Sequence, residues 1–425
     1  MSTDNTPHLE QFSSYEQARR ELKCELPERF NVAEAVCRRH DDPVTRIALL
    51  DVRFGGVNTY TFGGLDFLSD KFARVLVAHG AKAGDRLAIV LAQSAAAVVA
   101  LLGALKAGLS VAMIPQSPSS ITCVEKSNTA IVVLDSESYA YLSSASNVNA
   151  RAWTVFVAGH RLEAGSYRDF WSEINKASSD FKSADTDGTQ AGFCFLDHLT
   201  TGEPHTPSLE HSHASVLAAL PGFEMANELD CAWGQALYWT PHDWCSAQTV
   251  IGMLFPVWWY GGAVLALDRG LPAGWLAAID RYSVTHAVLS PVHLRLMREA
   301  GVDTGPLSSP LRRVITDAPI EPVLKRLCEL SFGAETSILA GWPEAPSAVA
   351  SCNRWFPTRE GWLGRAAPGT SIEIFDAGGS PVMPGSLGYV GISRDSSGPG
   401  WLMTGSTGLQ DSYGGIWLAG EGMGR

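Results

Sequence analysis

The chain has 425 residues, of which 46% are hydrophobic and 18% are charged, and its formal net charge is −12. This composition is typical of a globular chain and excludes an intrinsically disordered one. The length predicts several packed subregions rather than one hydrophobic core. The acidic balance disfavours nucleic acid and anionic membranes as nonspecific partners, because both would be repelled.

The cysteine pattern and the start of the chain indicate a cytoplasmic location. The eight cysteines are scattered, and no two of them form a C-x-x-C pair. Residues 1–5 are polar and lack the apolar run of a signal peptide. We therefore expect free thiols in a reducing compartment.

The predicted elements begin with an irregular arm and a charged helix in residues 1–30, and the pattern becomes regular from Tyr60. A helix follows, because apolar residues recur at helical spacing, and it ends at Gly80. The apolar residues 95–114 contain Lys106 and Gly108. They predict a buried helix followed by a buried strand rather than a membrane span.

Further alternation of strands and helices indicates a parallel, doubly wound sheet. One series continues through residues 130–196, with a polar surface loop at 177–190, and another runs from about 238 to 339. Short strands separated by Gly, Pro and Ser near the C-terminus predict a small β-rich region. We expect three subregions within one domain of residues 1–425, at residues 30–190, 191–355 and 356–425.

Several segments, in this order, resemble the acyl-CoA synthetase branch of the adenylate-forming superfamily. They are Tyr60-Thr-Phe-Gly-Gly-Leu, Gly84-Asp-Arg, Leu105-Lys-Ala-Gly, Trp239-Thr-Pro-His-Asp-Trp, Gly361-Trp-Leu-Gly-Arg, Pro384-Gly-Ser-Leu-Gly and Trp401-Leu-Met-Thr-Gly. The resemblance covers about residue 30 to the end. It implies an α/β fold with two doubly wound, mostly parallel sheets flanked by helices and a small, trimmed β-rich subdomain.

The phosphate-binding loop of that superfamily, T-S-G-T-T-G-x-P-K-G, corresponds to residues 197–206. The resemblance carries Thr200, Thr201, Gly202 and His205 over as remnants of the nucleotide site. Leu199 replaces a glycine where close backbone approach is needed, and His205 replaces the lysine. The loop is therefore either a weakened phosphate site or a surface turn.

The segment Ala340-Gly-Trp-Pro-Glu344 corresponds to the superfamily's Y-G-x-T-E, which contacts adenine and Mg²⁺. Gly341 and Glu344 persist, and Glu344 could ligate Mg²⁺, which prefers oxygen ligands. The alternative is a solvated or helix-capping glutamate. The family's glycine pair near adenine corresponds to Asp317-Ala-Pro319, where proline removes a backbone donor.

The ribose-binding T-G-D of the superfamily reads Thr404-Gly-Ser406 in this chain. A serine gives up the charged, two-point acceptor that an aspartate offers to the ribose hydroxyls. Relatives also have a hinge arginine where this chain has Glu421, followed by a C-terminal lid domain, and we expect that domain to be absent here. We therefore expect weakened ATP and Mg²⁺ binding and leave CoA binding open.

The W-T-P-H-D-W segment lies near the acyl pocket in the family. The resemblance assigns Trp239, His242, Asp243 and Trp244 to a pocket for a medium-chain or aromatic acid. An aromatic core is the alternative. The histidines at 198, 205, 211 and 213 also raise a metal site as a minor alternative, although their spacing matches no known ligand pattern.

Three functional hypotheses remain. The first is a family member with lost or strongly altered acid:CoA ligase activity that still binds a carboxylic acid or an acyl thioester. The second is a minimal adenylating enzyme, assisted by a protein partner that supplies a lid domain. The third is a non-catalytic interaction partner of an intact synthetase. The losses cluster at the nucleotide site while the apolar periodicity is intact, which favours the first hypothesis.

Overall fold

The structure is a computed structural model that describes residues 8–23, 27–53, 56–117, 119–144, 153–160, 166–195, 209–231, 236–267, 270–301, 308, 311–394 and 400–419. Its strands are β1 (Ile47–Arg53), β2 (Gly56–Thr61), β3 (Arg86–Val90), β4 (Ser110–Met113), β5 (Ile131–Leu134), β6 (Thr154–Val157), β7 (Arg168–Asp169), β8 (Ala191–Phe195), β9 (Leu209–Ser212), β10 (Leu237–Trp239), β11 (Ala263–Leu267), β12 (His286–Val288), β13 (Arg313–Thr316), β14 (Glu335–Trp342), β15 (Ala345–Ala350), β16 (Gly364–Ala366), β17 (Ser371–Phe375), β18 (Gly388–Ser393), β19 (Leu402–Gln410) and β20 (Gly415–Leu418).

The helices are α1 (Tyr15–Glu21), α2 (Val32–Arg38), α3 (Phe62–Ala78), α4 (Ala95–Lys106), α5 (Ser120–Lys126), α6 (Ser136–Ser144), α7 (Phe170–Lys176), α8 (Ser215–Ala226), α9 (Ala247–Thr249), α10 (Phe255–Trp259), α11 (Pro272–Arg281), α12 (Pro291–Glu299) and α13 (Pro322–Ser331). A 3₁₀ turn spans Leu9–Gln11, and a π-helical turn spans Val250–Leu254.

The smaller sheet has the strand order β7-β6-β5-β3-β4-β8-β9 in the described part of the chain. Its pairs are parallel except for β8 and β9, which are antiparallel. Helix α4 leads into β4, as the sequence predicts for residues 95–114, and it is buried along its whole length. Its Lys106 forms ion pairs with Asp66 and Asp70, at 2.5 and 2.7 Å.

The larger sheet has the order β17-β18-β19-β20-β16-β15-β14-β13-β12-β10-β11-β1-β2 among the described residues. Along this order, the run β14-β13-β12-β10-β11-β1 is parallel throughout. At one end, β2 pairs antiparallel with β1. At the other end, every pair from β14-β15 to β18-β17 is antiparallel. The α/β fold with two sheets and flanking helices is thus confirmed. The β-rich region is a continuation of the larger sheet.

The sheets do not follow the three predicted subregions. The hairpin of β1 and β2 comes before residue 190 but lies on the larger sheet, while β8 and β9 come after it and lie on the smaller sheet. The expectation that regular structure starts at Tyr60 is wrong, because α2, β1 and most of β2 precede it. The partner of β1 is β11, far along the chain, so local pattern does not reveal the pairing.

The core has one large cluster that joins the two sheets and smaller clusters on their other faces. Helices α3, α4, α8 and α10 contribute to the large cluster. A second cluster lies between the larger sheet and helices α11 to α13. This layering places the carboxyl ends of the parallel strands of the larger sheet at one edge, where the candidate site lies.

Candidate functional site

The carboxyl ends of β10, β12, β13 and β14 lie next to one another, because these strands are parallel neighbours. Ligands of open α/β sheets bind at this edge. His242 and Asp243 follow β10, and Asp317 follows β13. Gly341 lies near the end of β14, and Glu344 follows it. The topology therefore brings these sequence-predicted positions to one edge of the sheet.

A tight hairpin connects β14 to β15, with Pro343 and Glu344 between the paired residues Trp342 and Ala345. His211 of the smaller sheet contacts this turn, and its Nε2 lies 2.8 Å from the Pro343 carbonyl oxygen. Because a carbonyl oxygen only accepts, the hydrogen bond assigns the imidazole proton to Nε2. Burial lowers the pKa of His211, which favours the neutral imidazole. The turn is thus held against the smaller sheet.

Trp342 and Ser406 form a hydrogen bond at the position where the resemblance places the nucleoside. The indole N–H donates to the Ser406 hydroxyl oxygen at 3.0 Å. Only 4% of Trp342 and 6% of Ser406 is exposed. The Thr404 hydroxyl donates to the Val390 carbonyl oxygen at 3.0 Å. The residues at the predicted ribose positions are therefore hydrogen-bonded within the protein.

The carboxylate of Glu344 suits a hard cation. Its Oε2 is buried and accepts no hydrogen bond from any described residue. A buried carboxylate oxygen without a donor is costly, and a cation such as Mg²⁺ would satisfy it. The described residues contain no group of three or more His, Cys, Asp or Glu side chains that could hold a metal ion. A cation held by Glu344 would need its other ligands from water or from a bound molecule, and the assignment of Mg²⁺ to Glu344 remains a prediction.

Asp317 adds an acid to the same edge. Burial raises the pKa of its carboxyl to about 6, against a smaller opposing effect of its own backbone N–H. The neighbouring Thr316 hydroxyl donates to the Ala318 carbonyl oxygen at 2.8 Å. Above pH 6 the carboxylate adds negative charge at the edge where the family binds an anionic nucleotide.

The two tryptophans assigned to the acyl pocket lie in different hydrophobic clusters. Trp239 packs under helices α11 to α13, with its ring centroid 6.0 Å from that of Trp275. Trp244 belongs to the cluster that joins the two sheets. Both are buried, with exposures of 1% and 5%. The structure does not bring them together as one wall, and the acyl pocket remains a prediction.

His242 and Asp243 are only partly buried. The His242 ring is edge-on to His293, with 4.5 Å between the centroids, and His293 belongs to the capping box of α12. Gln93 donates from Nε2 to the carbonyl oxygens of Thr240 at 2.9 Å and His242 at 2.7 Å. The Arg53 guanidinium donates to the Gln93 carbonyl oxygen at 2.8 Å. A residue of the smaller sheet therefore positions this loop of the larger sheet.

The region beside this loop is closely packed. The π-helical turn contains Gly252, where an added Cβ would lie 2.6 Å from the Ser347 hydroxyl oxygen. Ser347 is fully buried and has a φ of 58°, a left-handed conformation that is uncommon for serine. Its N–H donates to Gln248 Oε1 at 3.0 Å. Both π-helical turns and left-handed residues are frequent at functional sites.

The minor alternative of a histidine metal site gains no support. His213 is fully buried, and its Nδ1 accepts the Val32 N–H at 3.2 Å. Burial lowers the pKa of His213 to about 4, so its imidazole is neutral. His211 is bound to Pro343, as described above. His198 and His205 lie outside the described residues.

The phosphate-loop residues Thr200, Thr201, Gly202 and His205 also lie outside the described residues, as does the hinge segment 420–425. The strands that flank the loop, β8 and β9, pair antiparallel. The assignment of these loop residues to a nucleotide site therefore remains a prediction.

Sequence reasoning missed Gln93 and the pairing of Trp342 with Ser406. Gln93 could have been found from its place, since it follows β3 at a carboxyl strand end and precedes Ser94, which caps α4. The partner of Trp342 depends on how close the hairpin lies to β19, and no sequence pattern reports that distance.

A cavity of about 580 Å³ lies away from this edge. Its lining includes Arg313 and Glu335, which begin β13 and β14, so it is located at the amino ends of these strands. Its other lining residues include charges of both signs, such as Glu228, Lys325 and Arg354. The cavity is therefore separate from the candidate site.

Comparison with known proteins identifies the class of protein that this fold and this edge define. The AMP-binding enzyme family matches residues 34–182 and 200–402. Because the match covers more than half of the chain, the protein belongs to this family of AMP-dependent synthetases and ligases.

Individual relatives are distant. The chain is 22% identical over 425 residues to the acyl-coenzyme A synthetase ACSM3, mitochondrial, of Mus musculus, covering 92% of this chain and 69% of that protein. It is 23% identical over 344 residues to the uncharacterized acyl–CoA ligase YtcI of Bacillus subtilis, covering 76% of this chain and 60% of that protein. The acyl-CoA synthetase family is thus the one supported.

Solved structures share the fold. The acyl-CoA synthetase of Brucella canis superposes with a TM-score of 0.85 at 20% identity, covering 96% of this chain and 80% of that one. The anthranilate CoA ligase AuaEII, in complex with anthranoyl-AMP, superposes with a TM-score of 0.75 at 17% identity, covering 92% of this chain and 77% of that one. The N-terminal domain of FACL13 from Mycobacterium tuberculosis superposes with a TM-score of 0.78 at 18% identity, covering 92% of this chain and 99% of that one.

Among the described residues, no helix has both the length and the apolar character needed to cross a membrane. The segment around α4 is thus a buried helix, as the sequence predicts. The cytoplasmic location remains a prediction.

Proposed function

We propose that this protein is an acyl-CoA synthetase family member whose ATP-dependent acid:CoA ligase activity is lost or strongly altered, and that it retains a site for a medium-chain or aromatic carboxylic acid or acyl group. The observation that carries the proposal is the buried hydrogen bond from Trp342 to Ser406. A ribose at this position would have to displace the indole and would meet a neutral hydroxyl in place of a carboxylate.

Three further residues act against the nucleotide. Asp317 adds a carboxylate above pH 6 to the edge that would hold it. In the phosphate loop, Leu199 and His205 stand where the family has glycine and lysine. Each change weakens anion binding through a separate cause, namely charge repulsion, hindered backbone approach and loss of a permanent cation.

The acid site is assigned to the partly buried His242 and Asp243, at the carboxyl end of β10. An imidazole N–H can donate to a carboxylate, and Gln93 fixes the loop through the His242 carbonyl oxygen. The His242 imidazole orients the carboxyl group of the acid at the sheet edge, and the hydrocarbon part lies against the neighbouring aromatic side chains.

Glu344 supports a second candidate, the minimal or partner-assisted adenylating enzyme. Its buried Oε2 has no hydrogen-bond donor among the described residues and could be satisfied by Mg²⁺. When bound, Mg²⁺ would neutralise phosphate charge. Glu344 thus favours residual nucleotide binding.

Calorimetric titration of the purified protein with Mg·ATP, with and without a panel of medium-chain and aromatic acids, tests the proposal. We expect no ATP binding tighter than about 100 μM, roughly 5–6 kcal/mol, and no pyrophosphate release. We expect heat of binding with at least one acid or acyl-CoA. Pyrophosphate release on adding an acid would contradict the proposal and establish the adenylating enzyme, whereas silence with all ligands would favour the interaction partner.

A pair of variants tests the role of Trp342 and Ser406. The double variant Trp342→Phe with Ser406→Asp removes the internal donor and supplies a charged ribose acceptor, so it should bind Mg·ATP more tightly than the parent, by about tenfold or more. Thr407→Asp adds the same charge one residue further along β19, where side chains point to the opposite face. If the double variant and Thr407→Asp bound ATP equally well, the Trp342 contact would not be what weakens the nucleotide site.

A further inference from the structure

The N-terminal part of the described chain forms a strap across the protein, defined here as residues 8–21. It consists of the 3₁₀ turn and α1. Leu9 is fully buried. At the other end, the Tyr15 hydroxyl donates to the Ala366 carbonyl oxygen at 2.8 Å, and Glu16 pairs with Arg365 at 3.0 Å. The strap therefore contacts α8 through its turn and β16 through its helix.

A buried carboxyl group holds the turn of the strap. Glu224 lies on α8 and is only 2% exposed. Its Oε2 accepts the Leu9 backbone N–H at 2.6 Å, and its Oε1 accepts the Tyr260 hydroxyl. Tyr260 is itself stacked on Phe223, with 5.9 Å between the centroids. The strap is thus docked on a titratable group that is not part of the candidate site.

The environment of Glu224 disfavours its ionised form. Burial is the main cause that raises the pKa of this carboxyl to about 7; the hydrogen bonds from Tyr260 and Leu9 oppose it, and Glu10 adds to it. His8 Nδ1 lies 3.9 Å from Oε1, but the His8 side chain is 48% exposed and pairs only when it is protonated. This pair is therefore screened by solvent.

The remaining titratable neighbours do not compensate a charge on Glu224. Burial holds the pKa of Cys231 and of Tyr260 well above their usual values, so both are neutral near pH 7. The cation Arg39 acts on Tyr260 and lies over the Trp259 ring, 3.6 Å from its centroid. An ionised Glu224 would gain most from water, which reaches it when the strap leaves.

We propose that the strap is a pH-dependent latch that is docked while Glu224 is protonated and detaches from α8 as Glu224 ionises. With the strap docked, burial holds the pKa of Glu224 at about 7, above its usual value of 4.5, so the docked state holds its proton more tightly. The stabilisation is complete below pH 4.5 and is lost as the pH rises through 7. When opening relieves this whole shift, the equilibrium constant for opening rises about tenfold between pH 6 and pH 8.5, which is the upper limit of the effect.

Hydrogen–deuterium exchange of the full chain at pH 6.0 and pH 8.5 tests this latch, with rates expressed relative to the intrinsic rate at each pH. We expect protection of residues 8–21 to fall about tenfold while protection of α4 is unchanged. In Glu224→Gln, the strap should be equally protected at both pH values. Equal protection in the parent protein, or the same loss in Glu224→Gln, would overturn the proposal.

Two further variants keep the test decisive if Glu224→Gln folds poorly. Tyr260→Phe removes a donor to the carboxylate and retains the ring, so the pKa of docked Glu224 should rise further and the loss of strap protection between pH 6.0 and pH 8.5 should be larger than in the parent. Glu10→Gln removes an exposed negative charge that raises the pKa of Glu224, so the loss of strap protection between pH 6.0 and pH 8.5 should be slightly smaller than in the parent. If the loss of strap protection between the two pH values changed in the same direction in both variants, or in neither, a latch controlled by Glu224 would be contradicted.

Discussion

At the scale of single residues, the Trp342 indole directs its one donor to a buried hydroxyl. Trp342→Phe should lower the free energy of unfolding by about 1–3 kcal/mol, because the Ser406 hydroxyl loses the indole donor and the smaller ring leaves a buried gap. Urea denaturation measures this loss. Combining it with Ser406→Ala should cost less than the sum of the two single changes, since the double variant leaves neither group behind. Strict additivity would show that the hydrogen bond contributes nothing.

The sequence predicts the change at residue 406 but not its consequence. Comparing Thr404-Gly-Ser406 with the family pattern shows that an aspartate is replaced. The contact between Trp342 and Ser406 arises because the β14–β15 hairpin approaches β19, although β19 is not next to either strand in the sheet. Such contacts depend on tertiary packing, and a sequence pattern reports spacing along one element only.

At the scale of elements, α8 and β15 approach so closely that one glycine is required. A Cβ added at Gly222 would lie 2.0 Å from the Ser347 carbonyl oxygen, which is far inside van der Waals contact. Gly222→Ala should therefore lower the free energy of unfolding by about 3 kcal/mol or prevent folding. Thermal denaturation, followed by circular dichroism, measures the effect.

Gly274 is the matched control on another helix. It lies on α11, is exposed, and has open space around the position of an added Cβ. Gly274→Ala should raise stability by about 0.5–1 kcal/mol, because alanine is the better helix former. If both glycines tolerated alanine equally, the close approach of α8 to β15 would be refuted.

The elements themselves were predictable where the pattern is local. Apolar residues at helical spacing predict α3, and Thr61 caps it by accepting the Gly64 N–H at 3.1 Å. The β1–β2 hairpin was missed, and its place on the larger sheet depends on β11. Local periodicity determines which element forms, whereas long-range pairing determines its place in the sheet.

At the scale of the whole molecule, Gln93 is a direct link between the two sheets. Gln93→Met keeps the length of the side chain but removes both hydrogen bonds to the loop after β10. We expect a loss of about 1–3 kcal/mol in the free energy of unfolding and faster amide exchange in residues 240–246. Gln116→Met, an exposed residue after β4, should change stability by less than about 0.5 kcal/mol. Equal effects would show that Gln93 does not couple the sheets.

The position of the β1–β2 hairpin at one end of the larger sheet has a consequence for synthesis on the ribosome. Its strand pairs with β11, and the nearby Trp258 indole donates to the Ala48 carbonyl oxygen across 210 residues of sequence. The smaller sheet can form as soon as its own strands have emerged, because its order involves only β3 to β9. The β1–β2 hairpin must wait for β11 with an unpaired edge. During that interval the nascent chain is most exposed to aggregation and to capture by chaperones, so slow translation between β9 and β11 should lower the yield of folded protein.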